Sequence, residues 1–522
     1  MDKKELQTTA LVILDGFGHS DKKVGNAVFA ANMPHWKYFI KNYPNTLLEA
    51  SGESVGLLPG FSGNSEVGHL TLGAGRIIES VLLRSQKAID DGSFFENQIL
   101  GQAFEELKLT GGRLHLMGLL SDGGVHSHRN MLYALMQAGL NAGIEKIYVH
   151  AFLDGRDVFP ISASNYLNDF EKVRNDLSRK IKLASIQGRF FAMDRDENWD
   201  RTQEAYKVLT GQGKAFEISW QEWIERYYEQ GITDEFIPPV LLFDEGKIRK
   251  GDGVVFFNIR PDRARQLGEC FLLSDFNYFE RENLVVQNNT LSFFITGASF
   301  DDGYKKQGCQ VLFDEEKVYE TLLDVLEKHR GDKKVFITAE TEKRAHVTYF
   351  FKGLRDEVGV KEERCIVPSL KVSSYAVCPE MSAQTITCKV LEALGRNDCF
   401  FYLINYANAD MVGHSGDFAA TVRACEVLDE QLGVLYQEIV VKRGGVIFIT
   451  ADHGNAEQKI DANGKPLTAH TKNPVPFVIV GLENKKIKLE KNGLACVAPT
   501  ILTYLQLLVP SVMSEPLNIE DR

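Results

Sequence analysis

Residues 446–453 of the chain are Val-Ile-Phe-Ile-Thr-Ala-Asp-His. Four β-branched or aromatic apolar residues are followed closely by a hydroxyl, a carboxylate and an imidazole. A short apolar run bounded in this way predicts a buried strand. In open α/β sheets, ligands bind beyond the carboxyl ends of the parallel strands. Asp452 and His453 therefore stand where such a sheet would place a functional site.

Seven further runs along the chain have the same form, and each ends abruptly in polar residues. They are Leu11–Leu14, Leu114–Leu120, Ile147–Leu153, Leu183–Ile186, Val254–Phe257, Val335–Ile337 and Phe400–Ile404. Amphipathic stretches of helical period lie between the runs, for example Lys317–His329 and Ala419–Val440. Alternation of strand and helix predicts α/β units with mainly parallel sheets.

Length and composition restrict the classes of protein that this chain can be. At 522 residues it is too long for one ordinary domain, so we expect two or three. A net charge of −12 argues against nucleic acid or an anionic membrane as a partner. We find neither a signal-like N-terminal segment nor an apolar run long enough to cross a bilayer. The 8 cysteines form no C-x-x-C pair, which indicates reduced thiols and a cytoplasmic protein.

The grouping of motifs predicts the domain organisation. A cluster around Asp15 and Ser65 is chemically completed only by residues from Asp410 onward, and the span between carries a different, arginine-rich set. We therefore expect one discontinuous domain, residues 1–80 and 312–522, that binds metal. An inserted domain, residues 81–311, would bind the substrate. The chain would cross between them near Arg76–Ser85 and Ser299–Val311.

Carboxylates and imidazoles recur at the predicted strand ends and in two glycine-containing motifs. Together they form the ligand set of a catalytic Zn²⁺ or Mn²⁺ site. Because the set contains no thiolate, it favours Mn²⁺, although the order of affinities alone would favour Zn²⁺. Two ions would neutralise the attacking and leaving oxygens of a displacement at phosphorus. The candidate ligands are Asp15, Asp410, His414, Asp452, His453 and His470.

Ser65 is the candidate nucleophile. It lies in Gly-Asn-Ser-Glu-Val-Gly-His, residues 63–69, at an expected helix start, where backbone N–H groups would favour a phosphate. A metal bound to Ser65 Oγ would make it nucleophilic without a histidine base. The alternative is an ordinary N-cap serine with Glu66 in the first turn. A Ser/His/Asp triad lacks support, because no G-x-S-x-G motif surrounds Ser65.

The central span is rich in arginine, whose planar fork suits bidentate recognition of phosphate and carboxylate. Recurrence of arginine at strand ends in an acidic protein favours a small polyanionic ligand. Simple solvation remains the alternative for some of them, such as Arg201 and Arg265. Lys343 could give a point charge to a transferring phosphoryl group. The candidate ligand-binding residues are His126, Arg156, Asp157, Arg189, Arg195, Arg260 and Arg263.

Taken together, these motifs closely resemble the cofactor-independent phosphoglycerate mutase family of the alkaline phosphatase superfamily. The resemblance runs nearly end to end. The matching motifs are LDGFG, GNSEVGHLTLGAGR, SDGGVHSH, LDGRD, GRFFAMDRDENWDR, RPDRARQ, AETEKRAHVTYFF, PEMSA, NADMVGHSG, TADHGNAE and TAHTKNPVP. The resemblance implies an alkaline-phosphatase-like domain interrupted by an inserted phosphotransferase domain.

The resemblance also implies roles for single residues. One metal ion would be held by Asp410, His414 and His470, and the other by Asp15, Ser65, Asp452 and His453. Substrate would be bound by His126, Arg156, Asp157, Arg189, Arg195, Arg260, Arg263 and Lys343. The family moves phosphate from 3-phosphoglycerate to the serine and back to the 2-hydroxyl, in glycolysis and without 2,3-bisphosphoglycerate. Asp157 is the best candidate for proton transfer at these hydroxyls.

Some expectations remain open between alternatives. The metals would be Mn²⁺, with Zn²⁺, Co²⁺ or Mg²⁺ as alternatives, and the enzyme a monomer acting on a small molecule. Ser62, Arg344 and Ala409 depart from the family pattern without removing a candidate ligand, and His69 is expected to support the ligands. The competing functions are a phosphomonoesterase or another metal-dependent mutase, and a catalytically silent metal-binding protein.

Overall fold

The structure is a computed structural model, and it describes residues 7–211, 218–281, 290–328, 333–461, 464–488 and 492–521. The chain divides into two compact units. The first unit contains Met1–Ser80 and Glu316–Arg522, and the second contains Val81–Glu315. In the described residues no helix is both long and apolar enough to span a bilayer.

The strands are numbered in chain order. They are β1 (Thr9–Leu14), β2 (Asn45–Glu49), β3 (Leu114–Leu119), β4 (Ile147–Leu153), β5 (Ile181–Gly188), β6 (Val240–Leu241), β7 (Gly253–Phe256), β8 (Phe293–Thr296), β9 (Cys309–Val311), β10 (Lys334–Glu340), β11 (Glu362–Val367), β12 (Cys399–Tyr406), β13 (Val446–Thr450), β14 (Val475–Val480), β15 (Lys485–Ile487), β16 (Asn492–Gly493) and β17 (Ile519–Asp521).

The α-helices are numbered in the same way. They are α1 (Ala27–Ala30), α2 (Pro34–Asn42), α3 (Ser65–Ala74), α4 (Val81–Asp91), α5 (Gln98–Thr110), α6 (Arg129–Asn141), α7 (Ala163–Leu177), α8 (Arg189–Ala192), α9 (Trp199–Thr210), α10 (Trp220–Tyr228), α11 (Arg265–Leu272), α12 (Asp302–Lys306), α13 (Leu322–Lys328), α14 (Ala383–Arg396), α15 (Asn408–Gly413), α16 (Phe418–Leu435) and α17 (Val497–Tyr504).

The first unit is built on a sheet of order β11-β10-β12-β1-β13-β14-β2-β16. The strand β1 pairs in parallel with β12 and with β13, and every residue of these three strands is buried. Burial of each large apolar side chain contributes about 1.5–3 kcal/mol, which explains why these strands are continuous apolar runs. Because Ile13 is opposite both Asn405 and Thr450, the carboxyl ends of the three strands are level.

The second unit is built on a sheet of order β6-β5-β4-β3-β7-β8-β9, in which only the β5–β6 pair is antiparallel among the described strands. Leu119 is opposite Phe152, and Leu153 is opposite Gly188. The residues that follow β3, β4 and β5 therefore emerge together at one edge. Two α/β units with mainly parallel sheets are the predicted fold class, which is thus confirmed.

Helix limits show where periodicity alone is insufficient. The predicted helix over residues 317–329 is helical only as α13, and its last residue, His329, lies outside the described residues. The helix begins after Thr321 because Thr321 Oγ1 and the carboxylate of Asp324 accept each other's backbone N–H. The predicted helix over 419–440 is α16 followed by a π-helical stretch, Tyr436–Val441.

Candidate functional site

In the first unit, acidic and imidazole groups gather at the carboxyl ends of β1 and β13. Asp15 follows β1, and Asp452 and His453 follow β13; all three are fully buried. The backbone N–H of Gly16 donates to Asp452 Oδ1 at 3.1 Å, which ties the two strand ends together. His453 Nε2 lies 3.6 Å from Asp15 Oδ1 and 3.4 Å from Asp452 Oδ2.

A second group comes from α15 and from the loop before β14. Asp410 is in α15 and His414 follows its last residue, so their side chains share one face at a spacing of four. Asp410 Oδ1 lies 3.2 Å from His414 Nε2 and 3.3 Å from His470 Nε2. The two Nε2 atoms are 3.0 Å apart. The structure therefore brings together all three residues predicted for one metal ion.

The tautomers of these histidines indicate what the group can bind. His414 Nδ1 is 2.8 Å from the carbonyl of Thr468, and His470 Nδ1 is 3.0 Å from the carbonyl of Gly63. A carbonyl only accepts, so each Nδ1 carries a hydrogen, and in the neutral form of either ring the lone pair is then at Nε2. Two lone pairs 3.0 Å apart beside a carboxylate repel one another unless a cation lies among them. This donor set fits a metal ion.

Ser65 is the first residue of α3, and the helix cap is its neighbour. Asn64 is the N-cap, with its side chain accepting from the N–H of Val67. The alternative of an N-cap role for Ser65 is therefore wrong. Ser65 Oγ instead lies 3.1 Å from Asp15 Oδ1 and 3.0 Å from His453 Nε2. The serine hydroxyl thus shares one buried space with the carboxylate and the imidazole.

Lys343 brings a positive charge into the same cluster. It follows β10 in a short 3₁₀ turn, Thr341–Lys343, and is buried. Its Nζ lies 2.7 Å from Asp15 Oδ1, 2.7 Å from Ser65 Oγ and 2.8 Å from Asp410 Oδ2. Burial alone would lower the pKa of Lys343, but the charges of Asp15 and Asp410 raise it. The amine is therefore a fixed cation at neutral pH.

The electrostatics of the cluster also favour added positive charge. Burial and the neighbouring Asp452 carboxylate raise the pKa of Asp15. Burial would lower the pKa of His453, but the carboxylates of Asp452 and Asp410 raise it. Buried carboxylates at this density are costly without a compensating cation. Within the described residues, ligand atoms of Asp15, Asp410 and His453, and those of Asp15, His69 and Asp452, lie within 4.8 Å of one another.

In the second unit, the loop after β4 brings two carboxylates to a guanidinium at the start of α8. Arg189 begins α8 and is only 2% exposed. Its NH1 donates to Asp154 Oδ1 and to Asp157 Oδ2, both at 2.6 Å. Burial would lower the pKa of Arg189, but Asp157 and Asp154 raise it. Arg156, also from the loop after β4, lies 3.4 Å from Glu235 through NH1.

The remaining predicted anion-binding groups of the second unit surround Asp262. Arg195 NH1 is 2.8 Å from Asp262 Oδ2, Arg260 Nε is 3.0 Å from Oδ1, and His126 Nδ1 is 3.6 Å from Oδ1. Burial and the charge of Arg189 lower the pKa of His126 to about 3, so the imidazole is neutral at working pH. His126 Nε2 is also 3.9 Å from Asp157 Oδ2, which joins the two groups.

Arg263 completes this cluster, and its NH1 donates to the carbonyl of Met193 at 3.2 Å. The structure thus gathers His126, Arg189, Arg195, Arg260 and Arg263 in one region, with Arg156 on the same loop as Asp157. Lys343, predicted with the substrate-binding residues, lies with Ser65 in the first unit.

Comparison with known proteins decides the family. A family model described as BPG-independent PGAM N-terminus matches residues 86–300. The 2,3-bisphosphoglycerate-independent phosphoglycerate mutase of Clostridium botulinum (strain ATCC 19397 / Type A) is 45% identical over 520 residues, covering 98% of this chain and 99% of that protein. The chain belongs to this family. The protein of the same name from Synechococcus sp. (strain JA-3-3Ab) is 46% identical over 98% of this chain and 96% of its own length.

A solved structure supports the same assignment. A crystal structure of Leishmania mexicana phosphoglycerate mutase at low cobalt concentration has a TM-score of 0.73 and 31% identity, with 100% of this chain and 99% of that chain covered. The predicted membership of the phosphoglycerate mutase family is thus confirmed, and with it the enzyme class. The family is metal-dependent, which agrees with the carboxylate and imidazole cluster of the first unit.

Several polar residues of this mutase contact the candidate ligands and were not singled out from the sequence. Asn405 Nδ2 donates to Asp15 Oδ2 at 2.9 Å, and Asn455 Nδ2 donates to Asp410 Oδ1 at 2.9 Å. Asp154 and Asp262 hold the arginines described above. Their positions at strand ends or inside the quoted motifs were visible, but their partners depend on strand order. His69, expected to support the ligands, lies 3.2 Å from Asp452 Oδ2 through Nδ1.

Proposed function

We propose that this mutase interconverts 3-phosphoglycerate and 2-phosphoglycerate through a phosphoserine at Ser65, without 2,3-bisphosphoglycerate. The observation that carries the proposal is the convergence on Ser65 Oγ of Asp15, His453 and Lys343, all within 3.1 Å. A serine used only for helix capping would not need a carboxylate, an imidazole and an ammonium group around its hydroxyl, and Asn64 already supplies the cap.

Two metal ions, in this proposal Mn²⁺, complete the first unit. One would be held by Asp410, His414 and His470, and the other by Asp15, Ser65, Asp452 and His453. When bound, the cations would lower the pKa of the Ser65 hydroxyl and neutralise charge on the phosphoryl oxygens. The absence of thiolate from the donor set supports a hard or borderline ion.

The reaction divides into two displacements at phosphorus. In the first, Ser65 Oγ, having released its proton to solvent, forms a bond to phosphorus while the bond to the substrate 3-oxygen breaks, and that oxygen takes a proton. In the second, the glycerate 2-hydroxyl loses a proton and attacks the phosphoserine, which releases Ser65. Lys343 Nζ, 2.7 Å from Ser65 Oγ, stabilises negative charge at the transferring group. Asp157 carries the proton at the two substrate hydroxyls.

The two units have separate tasks in this proposal. The first unit is the metal-binding, phosphatase-like domain. The second is the inserted domain that recognises the phosphate and carboxylate of the substrate through His126, Arg156, Asp157, Arg189, Arg195, Arg260 and Arg263. Recognition by arginine forks suits a small anion with two charged ends. The enzyme would act as a cytoplasmic monomer on a small molecule, with neither nucleic acid nor membrane as a partner.

The test is an enolase-coupled assay with 3-phosphoglycerate and Mn²⁺ in the absence of 2,3-bisphosphoglycerate. Wild-type protein should turn over, and Ser65→Ala should lose activity by about 10⁴-fold or more, because a methyl group cannot attack phosphorus. Ser62→Ala is the matched control: among the described residues, Ser62 Oγ donates only to the backbone carbonyl of His470, at 3.3 Å, so turnover should persist. Retained turnover in folded Ser65→Ala would contradict a phosphoserine mechanism.

A further inference from the structure

We propose that Asp154 is a positioning residue of this mutase: its carboxylate fixes Arg189 and the Arg156–Asp157 loop for substrate binding. The inference rests on the proposed function, because it deepens the role of the second unit in that reaction. Asp154 belongs to no predicted set of site residues. It follows β4 directly and is 2% exposed.

Both oxygens of Asp154 are engaged, and their partners come from the segments that follow three different strands. Oδ1 accepts from Arg189 NH1 at 2.6 Å and from the backbone N–H groups of Arg156 and Asp157 at 3.2 and 2.9 Å. Oδ2 accepts from Ser121 Oγ at 2.7 Å, and Ser121 Oγ accepts from the N–H of Gly123. One carboxylate therefore joins the loops after β3 and β4 to the first residue of α8.

The charge of Asp154 has a specific partner. Arg189 NH1 lies at equal distance, 2.6 Å, from Asp154 and from Asp157. A charge-assisted bond to each side holds the buried guanidinium between them. Without the charge of Asp154, Arg189 would pair with Asp157 alone. Asp157 is the proposed proton carrier, so a closer pair would impair both the arginine and the carboxylate.

A purely structural role makes a different prediction. Asp154 also closes the turn of its own loop by accepting the N–H groups of Arg156 and Asp157, and an amide oxygen can do the same. The isosteric change Asp154→Asn thus keeps the acceptor for the turn, and its Nδ2 can face the hydroxyl of Ser121. What the change removes is the negative charge beside Arg189.

The decisive experiment measures kcat and KM for 3-phosphoglycerate with Asp154→Asn, Arg189→Met and the double variant. Loss of one charge-assisted bond should lower kcat/KM of Asp154→Asn by about 10- to 100-fold, with a raised KM. Because Asp154 acts through Arg189, adding Asp154→Asn to Arg189→Met should cost less than about threefold more.

Asp252→Asn is the matched control. Asp252 is a buried carboxylate of the same unit and forms ion pairs with Arg113 and His115. It directly precedes β7 and therefore lies at the amino ends of the strands, away from Asp154. The Asp252→Asn change should lower the melting temperature and leave KM unchanged, both in the wild type and in Arg189→Met.

The outcomes separate the two proposals. If the wild-type protein does not produce 2-phosphoglycerate, the proposed function fails. If the wild type is active while Asp154→Asn keeps a wild-type KM, or adds its full effect to Arg189→Met, the positioning role alone is overturned. Should Asp154→Asn not fold, Ser121→Ala replaces it, since it removes the only side-chain donor to Oδ2 among the described residues. That variant should raise KM by about two- to tenfold, and an unchanged KM would overturn the inference.

Discussion

In the proposed mechanism, the charge of Lys343 has opposite effects on metal binding and on catalysis. Its Nζ occupies a position within 2.8 Å of carboxylate oxygens of Asp15 and Asp410, the groups that are proposed to hold metal. A cation so close to metal ligands repels a metal ion, yet the same charge is suited to stabilising a transferring phosphoryl group. Removal of the charge should therefore affect affinity and rate in different directions.

The variant Lys343→Met tests this separation. We expect kcat to fall by about 100- to 1,000-fold, while the affinity for Mn²⁺, measured by calorimetry, rises by at least about tenfold. Lys352→Met is the matched control, because Lys352 is an equally buried lysine of the same unit, paired with Glu362. It should change neither quantity. A weaker affinity for Mn²⁺ in Lys343→Met would mean that the lysine orders the site for metal.

At the residue scale, the sequence predicts which residue types take part in the chemistry but not which side chains form hydrogen bonds to them. Ser65, Asp410 and His414 are predicted site residues because their residue types and spacing are typical of metal-assisted displacement. Asp154 lies in the quoted LDGRD motif, but that motif does not predict that Ser121, which follows the neighbouring strand β3, donates a hydrogen bond to its carboxylate. Such partners depend on the strand order β5-β4-β3, which a single sequence does not encode locally.

At the scale of elements, three neighbouring strands of the second unit share a buried hydrogen-bonded chain. His115 Nε2 is 3.1 Å from Asp252 Oδ2, His115 Nδ1 is 2.9 Å from His150 Nε2, and His150 Nδ1 is 2.8 Å from Ser185 Oγ. The chain links β3, β4 and β5, and it is complete when both rings are neutral. Burial, together with the neighbouring His115 and the charge of Arg113, lowers the pKa of His150 well below its ordinary value.

This chain predicts acid sensitivity of the second unit. The pKa of His150 is lowered on folding, so the unfolded state binds a proton below pH 6.5 that the folded state excludes, and stability is lost as pH falls. Between pH 7.5 and 5.5, this linkage at His150 should lower the free energy of unfolding by about 1 kcal/mol. His150→Gln should reduce the pH dependence of urea unfolding by that amount. An unchanged pH dependence of urea unfolding in His150→Gln would contradict the argument.

The apolar runs in the sequence predict the positions of the central strands well. Each of the eight apolar runs lies in a strand, although Leu120 and Phe257 fall just outside β3 and β7. The strands were visible because residues buried on both faces must be apolar throughout. The short strands β6 and β16 and the antiparallel β14 were not singled out. These strands are stabilised by hydrogen bonds to β5, β2 and β13, and such long-range pairing cannot be read from the two or six residues of the strand itself.

At the scale of the whole molecule, metal content should follow pH. In the proposed metal site, binding needs an unprotonated Nε2 on His453, and the carboxylates of Asp452 and Asp410 raise the pKa of that imidazole. A raised pKa favours the protonated form, so protons should displace metal as pH falls below neutrality. Activity and bound Mn²⁺ should therefore decline together, and excess Mn²⁺ should move both curves to lower pH. Full metal occupancy in an inactive enzyme at pH 6 would exclude this explanation.

The last question for the whole molecule is why phosphate returns to glycerate and not to water. In the proposed mechanism both outcomes begin with phosphorylated Ser65, so the first chemical step cannot decide between them. What differs is how long glycerate is retained before water reaches the phosphoserine. Arg263 is a candidate for that retention. Burial and the charges of Arg195 and Arg189 lower the pKa of Arg263, which marks a cluster with an excess of positive charge that an anion would relieve.

Replacement of Arg263 by Ala should therefore change the ratio of products more than the rate of Ser65 phosphorylation. Loss of one charge-assisted contact should shorten retention by about 10- to 100-fold, so free phosphate should increase relative to 2-phosphoglycerate. The two products can be measured in one reaction, and phosphoserine by mass spectrometry after rapid quenching. Arg265→Ala is the matched control, since Arg265 is half exposed and its Nε donates to the carbonyl of Phe300 at 3.1 Å. If Arg263→Ala and Arg265→Ala give the same product ratio as the wild type, Arg263 does not govern the partition, and retention must depend on other members of the cluster.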